Sequence, residues 1–545
     1  MKKKNIEDIL ALTPMQEGLL FHYLQDRQGE SYFNQLNLEV SGEIDLEYFE
    51  KSWNLVIETN EILRTVFRWE KLEKPTQVVL EKHTIHLKYK DLAIIGDSED
   101  KRKQWETIKQ QDRNNPFDLQ EVPFRVTLGK ITQNQHHILI SYHHILFDGW
   151  SIGIILKEFF QAYETLVKGS QSLVPPVKPR FKEFIRWHQE QDPKEQKKFW
   201  QNYLEGFETP TQLPVKQLKP GPGIQSKRNY RLHLPEMIKD KLEVFVKEKR
   251  LSLATFFYSA WGVLLQKYCC MEDVVFGTVV SGRSAPIRGI EDMVGLLINT
   301  IPHRARLEPG DTLLDFLVRI NNHLAAVGKY ENIPLVDIHS YSQRPNQVGE
   351  ELFDTIVAVE NYPLDTYLKN LGSHLSIQSY EMEERPHYDL TLVISAAGGI
   401  DIDFIYNNTC FDKETIVRLA HHFGTILKGI GENVENRPQE IEILSGEEKH
   451  QLLVDFNRTA AAYPGEKAIH ELFEEQVERT SDNIAVIGPL EMEYRTYMVY
   501  ISYQELNEKS NRLAHLLRSK GVQSDTIVSI MLERSLEMVI GILGI

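Results

Sequence analysis

The stretch Gln135-His-His-Ile-Leu-Ile-Ser-Tyr-His-His-Ile-Leu-Phe-Asp-Gly-Trp150 constrains this chain more than any other. Residues 137–144 read as a strand with period-two alternation. Ile138, Ile140, Tyr142 and His144 fall on one face, and His137, Leu139, Ser141 and His143 on the other. The adjacent His143 and His144 therefore face opposite ways, and one cannot do the other's work. Phe147-Asp-Gly-Trp150 reads as a turn, with Gly149 supplying backbone freedom. From Ser151 a helix begins, its apolar stripe made of Ile152, Ile155, Leu156, Phe159, Phe160 and Tyr163, and Gly169 follows its end. The result is a compact polar cluster beside apolar walls. By itself such a pattern is ambiguous, since a histidine at a strand end is more often structural and an Asp before Gly is usually a turn residue. Asp148 is too near the turn to serve by default as a histidine's catalytic partner and is read as holding the turn. No HExxH or CxxC accompanies the four histidines of this stretch, so no metal site is read.

At 545 residues the chain exceeds one ordinary core and should form two or three packed units. Helical and strand periods alternate throughout, which makes the class mixed α/β. Thr13-Pro14 opens a helix, with Thr13 as N-cap and Met15, Leu19, Leu20 and His22 near one face. Ser252 caps an apolar helical run through Leu265, a buried strand follows at Val274–Val280, and Thr355–Val359 and Leu390–Ile394 read as a strand pair. A Pro/Gly-rich segment, Glu205–Gln225, is expected to be a surface connection. A second, polar break spans Gly431–Pro464. Beyond it come an amphipathic helix (Ile469, Leu472, Phe473, Val477) and strand-like Ile484–Ile487 and Tyr500–Tyr503.

The net charge of −16 argues against nucleic acid and anionic membrane surfaces as partners. The three cysteines, Cys269, Cys270 and Cys410, have neither metal-ligand spacing nor the look of a disulfide framework, which fits the cytoplasm. The basic start has no apolar core behind it, and no stretch approaches the roughly 20 apolar residues of a membrane span. GxSxG, GK[ST] and GxGxxG motifs are absent. The residues alone leave a soluble α/β enzyme with a candidate histidine.

His143-His144-Ile-Leu-Phe-Asp148-Gly149 resembles the HHxxxDG motif of the condensation domains of nonribosomal peptide synthetases. Further matches follow the family's order: Leu12-Thr-Pro-Met-Gln-Glu-Gly-Leu-Leu-Phe-His22, Glu61-Ile-Leu-Arg-Thr-Val-Phe67, Phe181-Lys-Glu-Phe-Ile-Arg-Trp187 and Val294-Gly-Leu-Leu-Ile-Asn-Thr300. In the second of these, Thr59-Asn60 stands where the family has Arg-His. Past the second break, Phe456-Asn-Arg-Thr, His470-Glu-Leu-Phe-Glu-Glu-Gln and Ile501-Ser-Tyr-Gln-Glu-Leu-Asn507 look like the entrance to an adenylation domain, with Gly488–Val499 longer than expected. That family's ATP loop and aminoacyl pocket are expected beyond Ile545.

The resemblance implies two chloramphenicol-acetyltransferase-like lobes in a V with a central tunnel, plus a partial adenylation-domain segment. The implied division is 1–178 for the first lobe, 179–432 for the second, 433–467 for a linker and 468–545 for the adenylation segment. The implied reaction is amide formation between two thioesters held on the 4'-phosphopantetheine arms of donor and acceptor carrier proteins, with no cofactor bound directly. His144 is the implied catalytic residue, as hydrogen-bond positioner or as base. His143, Asp148, Gly149 and Arg64 support it, with Asp148 expected to pair with Arg64, and Trp150, Ser151 and Asn299 are further tunnel or motif candidates. The implied partners are the two carrier proteins, the adjacent adenylation domain and, through the N-terminus, an upstream member of the synthetase assembly. The Leu63-Arg-Thr65 form leans towards an L-configured donor. Competing readings are an epimerisation domain, which shares the histidine motif but follows a carrier domain, a coenzyme A acyltransferase, which has no use for the fused tail, and a non-catalytic recruitment module, in which the motif should be degraded.

Overall fold

The computed structural model describes residues 5–27, 32–169, 177–215, 227–342, 351–360, 374–384, 386, 388–396, 399–432, 434–492 and 495–545. It divides into two compact units, Met1–Ser445 and Gly446–Ile545, and the division falls within the polar break seen in the sequence.

The first unit is built on two large sheets, each with its own apolar core. The five-stranded sheet runs Ser376–Glu383, Phe33–Ser41, Gln135–His143, Phe124–Lys130, Lys88–Asp91. All its neighbours are antiparallel except the last pair. Gln135–His143 is flanked by strands on both sides, and its alternation follows from that place. Ile138, Ile140 and Tyr142 enter the main core, while Leu139 packs with Trp105 on the opposite face and His137 stacks on Trp105 at 5.0 Å. Over the core face lies the helix Gly149–Val167, packed along Leu46–Thr59 with Trp53 stacked on Phe159 at 4.5 Å. The sheet's outermost member, Ser376–Glu383, comes from the range expected for the second lobe.

The six-stranded sheet runs Asn299–Arg306, Asp273–Val280, Thr355–Glu360, Leu390–Ser395, Ile400–Asn407, Lys227–Leu234. Thr355–Glu360 and Leu390–Ser395, read as a strand pair, are neighbours in this sheet and run parallel. The helix Leu253–Cys269 is buried on almost every side in this core, and Ser252 caps it by accepting from the Thr255 N–H. A three-stranded sheet, Ile6–Ala11, Thr76–Leu80 and Thr65–Arg68, completes the unit.

Several local expectations shift. The helix after the histidine strand begins at Gly149 rather than Ser151, because Asp148 is its N-cap and accepts from the Ser151 N–H. Gly149 is then an ordinary first-turn residue with no left-handed backbone to accommodate. In Pro14–Gln25, capped by Thr13 as expected, Gln16 rather than Met15 takes the fully buried position, donating to the Ile145 carbonyl. Of the Pro/Gly-rich connection, Thr211 and Leu213 are buried, Thr211 bridging to Phe353, so this part is no surface loop. Residues 216–226 lie outside the described residues.

The second unit holds helices Ile469–Arg479, Tyr503–Ser519 and Leu536–Gly544 around a small core of Ile501, Leu506 and Leu536. Of the long stretch Gly488–Val499, Gly488–Met492 and Arg495–Val499 pair antiparallel within the strands Ile484–Met492 and Arg495–Ser502, and residues 493 and 494 lie outside the described residues. Among the described residues, no helix is long and apolar enough to cross a membrane.

Candidate functional site

The histidine strand ends at His143, and the two imidazoles part there. The His143 ring is buried between Tyr23 and Tyr32, with centroids at 5.9 and 6.3 Å. Its Nδ1 accepts from the Ile145 N–H at 3.1 Å, which pins the turn. Burial, then the neighbouring His144 charge, pushes its pKa down to about 3, so it stays neutral in any physiological medium. His143 is thereby a structural residue.

His144 lies one residue past the strand, its N–H donating to the Tyr32 carbonyl, and its ring is only half-buried. Its Nδ1 sits 2.9 Å from the Phe147 carbonyl oxygen. A carbonyl can only accept, so Nδ1 carries the proton and Nε2 keeps its lone pair. In its neutral form the ring therefore presents Nε2 as the atom that accepts a hydrogen bond or a proton.

Asp148 is fully buried, four residues on. Its carboxylate accepts from Ser151 N–H (2.9 Å) and Oγ (2.8 Å), from Leu297 N–H (3.1 Å) and Ile298 N–H (3.3 Å), and from both terminal nitrogens of Arg283 at 3.0 and 3.2 Å. Burial works to raise its pKa, but the Arg283 charge and these hydrogen bonds outweigh it and hold the carboxyl below the ordinary aspartate range.

The expected Asp148–Arg64 pair does not form. Arg64 instead donates to Glu7 and to the Leu80 carbonyl, and Glu7 is shared with Arg180. The reason is topological. Arg64 closes a short turn of helix beside the three-stranded sheet, whereas the Asp148 side chain is saturated by a loop that follows the strand Asp273–Val280. Arg283 is the residue that sequence reading missed. Its local signal is the Ser281-Gly282-Arg283 turn at the end of a recognisable buried strand, and nothing in that turn names the carboxylate it will meet. Gly282 has φ +66°, and a β-carbon there would lie 1.8 Å from the Leu297 carbonyl oxygen, so only glycine lets this loop approach.

The other candidates gather on the same junction. Trp150 donates to the Glu291 carbonyl at 2.9 Å and lies under the Arg283 guanidinium, 5.2 Å away. Ser151 Oγ donates to Asp148, and Arg283 and the Gly295 N–H donate to it. Asn299 spends its amide on the Glu331 and Ile333 carbonyls, at 2.7 and 2.6 Å, and lines a small, shallow cleft with Thr13, Phe184 and Asn332.

The condensation-domain family model matches residues 6–453, more than half of the chain. The chain belongs to the condensation-domain family. After the condensation domain, residues 473–545 match the AMP-binding enzyme family. Tyrocidine synthase 2 of Brevibacillus parabrevis is 35% identical over 548 residues, and bacitracin synthase 3 of Bacillus licheniformis is 34% identical over 554. The alignments cover 100% and 99% of this chain, which spans only 15% and 8% of those relatives' lengths. The fold is similar to part of a holo four-domain nonribosomal peptide synthetase bound to AMP and glycine, at TM-score 0.68 and 20% identity over 99% of this chain and 41% of that one. It is likewise that of the first condensation domain of the calcium-dependent antibiotic synthetase, at TM-score 0.66 and 17% identity over 81% of this chain and 100% of that one. The mixed α/β architecture of this condensation domain thus agrees with the fold implied by its motifs.

Proposed function

We propose that this condensation domain forms peptide bonds between two carrier-bound thioesters, the α-amine of an acceptor aminoacyl group attacking a donor aminoacyl or peptidyl thioester. The observation that carries the reading is the tautomer of His144, whose Nδ1–H is spent on the Phe147 carbonyl while Nε2 on a half-buried ring keeps its lone pair. An α-amine titrates at about 7.7–8.0 and a thiol at about 8.5, so neither nucleophile nor leaving group needs strong activation. Alignment is the larger demand, and effective molarities of roughly 10⁵ M or more are available to well-oriented partners. Removing a proton from the attacking nitrogen adds about 10²–10⁴-fold. His144 serves both ends, orienting the amine and accepting its proton.

Asp148, Arg283 and Ser151 act at a distance from this chemistry by fixing the turn that carries His144. The lobes proposed at 1–178 and 179–432 open a tunnel reached by one 4'-phosphopantetheine arm from each side. The adenylation domain of the same module supplies the acceptor, and the reaction runs in the cytoplasm. The test is a single-turnover assay with donor and acceptor carrier proteins, screened across aminoacyl groups by mass spectrometry. A new amide bond supports the reading; an inverted stereocentre without an amide would make this an epimerisation domain, and neither product would make it a recruitment module.

A further inference from the structure

The strand Ser376–Glu383 presents two faces. Glu381 and Glu383 bond Lys109 and Arg113 on the helix Ser98–Arg113, which covers one face of the sheet. Met382 points the other way and packs against the core that contains Tyr142. Glu384, next in the chain, belongs by alternation on the Met382 face. The register says the same. Glu383 is the last paired residue, opposite Gln35, and Glu384 follows it past the strand end; continued by one step, the pairing would set Glu384 level with Asn34, which is paired with Tyr142, and His144 lies two residues beyond Tyr142. Glu384 acts electrostatically on both Tyr142 and His144. It is half-buried, and burial raises its pKa above the ordinary glutamate range, with the His144 charge pulling it partly back.

Resting on the condensation reading, the proton count gives this carboxylate a task. The acceptor arrives mainly as an ammonium near neutral pH. To become an amide its nitrogen must lose two protons, while the departing thiolate takes up one. We propose that Glu384 binds the acceptor ammonium and takes its first proton, leaving the second to His144. The free amine then attacks the donor carbonyl carbon, forming the C–N bond as the carbonyl π pair moves to oxygen. His144 Nε2 removes the second proton from the nitrogen. The oxygen pair returns, the C–S bond breaks, and the thiolate leaves with the proton from His144. The proton held by Glu384 passes to solvent.

The test begins with binding to the full chain, using alanyl-pantetheine amide and its des-amino counterpart, propionyl-pantetheine amide, in titration calorimetry. Wild-type protein is expected to favour the amine by about tenfold or more, as a charge-assisted hydrogen bond would give. Glu384→Gln should erase that preference and Glu384→Asp should restore part of it, while Glu383→Gln, on the opposite face, should leave it intact. Single-turnover amide formation should fall about 10²-fold or more in Glu384→Gln and stay near wild type in Glu383→Gln. No amine preference in the wild type, or a preference that survives Glu384→Gln, would overturn the assignment. If the preference depends on Glu384 but the wild type makes no amide, the condensation reading fails while the ammonium site stands.

Discussion

Asp148 and Arg283 meet in a two-pronged ion pair at 3.0 and 3.2 Å, although they lie 135 positions apart in the chain. The carboxylate is fully buried and the guanidinium nearly so, which makes this pair the clasp between the histidine turn and the loop before Asn299–Arg306.

Removing one side of such a pair strands a buried charge. Asp148→Ala and Arg283→Ala are each expected to lower unfolding free energy by about 3–5 kcal/mol, with the double variant costing clearly less than the sum. Urea unfolding of the three variants measures this. The depressed Asp148 pKa sets the pH window: its stabilisation is present above the ordinary aspartate pKa and is lost as pH falls through the lower folded value.

Arg64 should couple to Glu7 and not to Asp148. A double-mutant cycle is expected to show an interaction of about 0.5 kcal/mol or more for Arg64 with Glu7, and additivity within about 0.5 kcal/mol for Arg64 with Asp148. Chemical denaturation is sufficient to read both.

The two histidines should separate cleanly. His144→Ala removes a half-buried ring with one side-chain hydrogen bond, so stability should change by no more than about 1 kcal/mol while amide formation falls about 10²–10⁴-fold. Circular dichroism melts beside single-turnover rates make the comparison.

His143 should leave its mark in acid. Its folded pKa of about 3 lies below the unfolded value near 6.5, so the unfolded chain takes the proton first. Native stability therefore falls as pH drops from about 6.5 towards 3, by up to about 1.4 kcal/mol per pH unit from this group. His143→Asn keeps an acceptor for the Ile145 N–H and should flatten that part of the slope, as urea midpoints across this range would show.

Gly282→Ala should cost more than about 1 kcal/mol, because the left-handed backbone and the Leu297 carbonyl both oppose a β-carbon. Since Leu297 N–H binds Asp148, the same change should loosen the histidine turn, visible as faster hydrogen exchange at residues 144–148.

What could be read without coordinates was everything governed by near neighbours in the chain. Alternation separated His143 from His144, because successive strand side chains must point to opposite faces whatever the sheet packs against. Thr13 and Ser252 announced helix starts, because a cap bonds within three residues of itself. The ordered motifs named the family. Through-space partners were decided only in the folded state. The resemblance implied Arg64 as the partner of Asp148, yet the approach of the Gly282 loop brings Arg283 to it instead. Glu384 carried no local signal at all. Its place on the His144 side follows from the pairing of Ser376–Glu383 with Phe33–Ser41, a contact between segments more than three hundred residues apart. Short-range geometry is written residue by residue, whereas the choice among distant, chemically equivalent partners belongs to the packing of the whole.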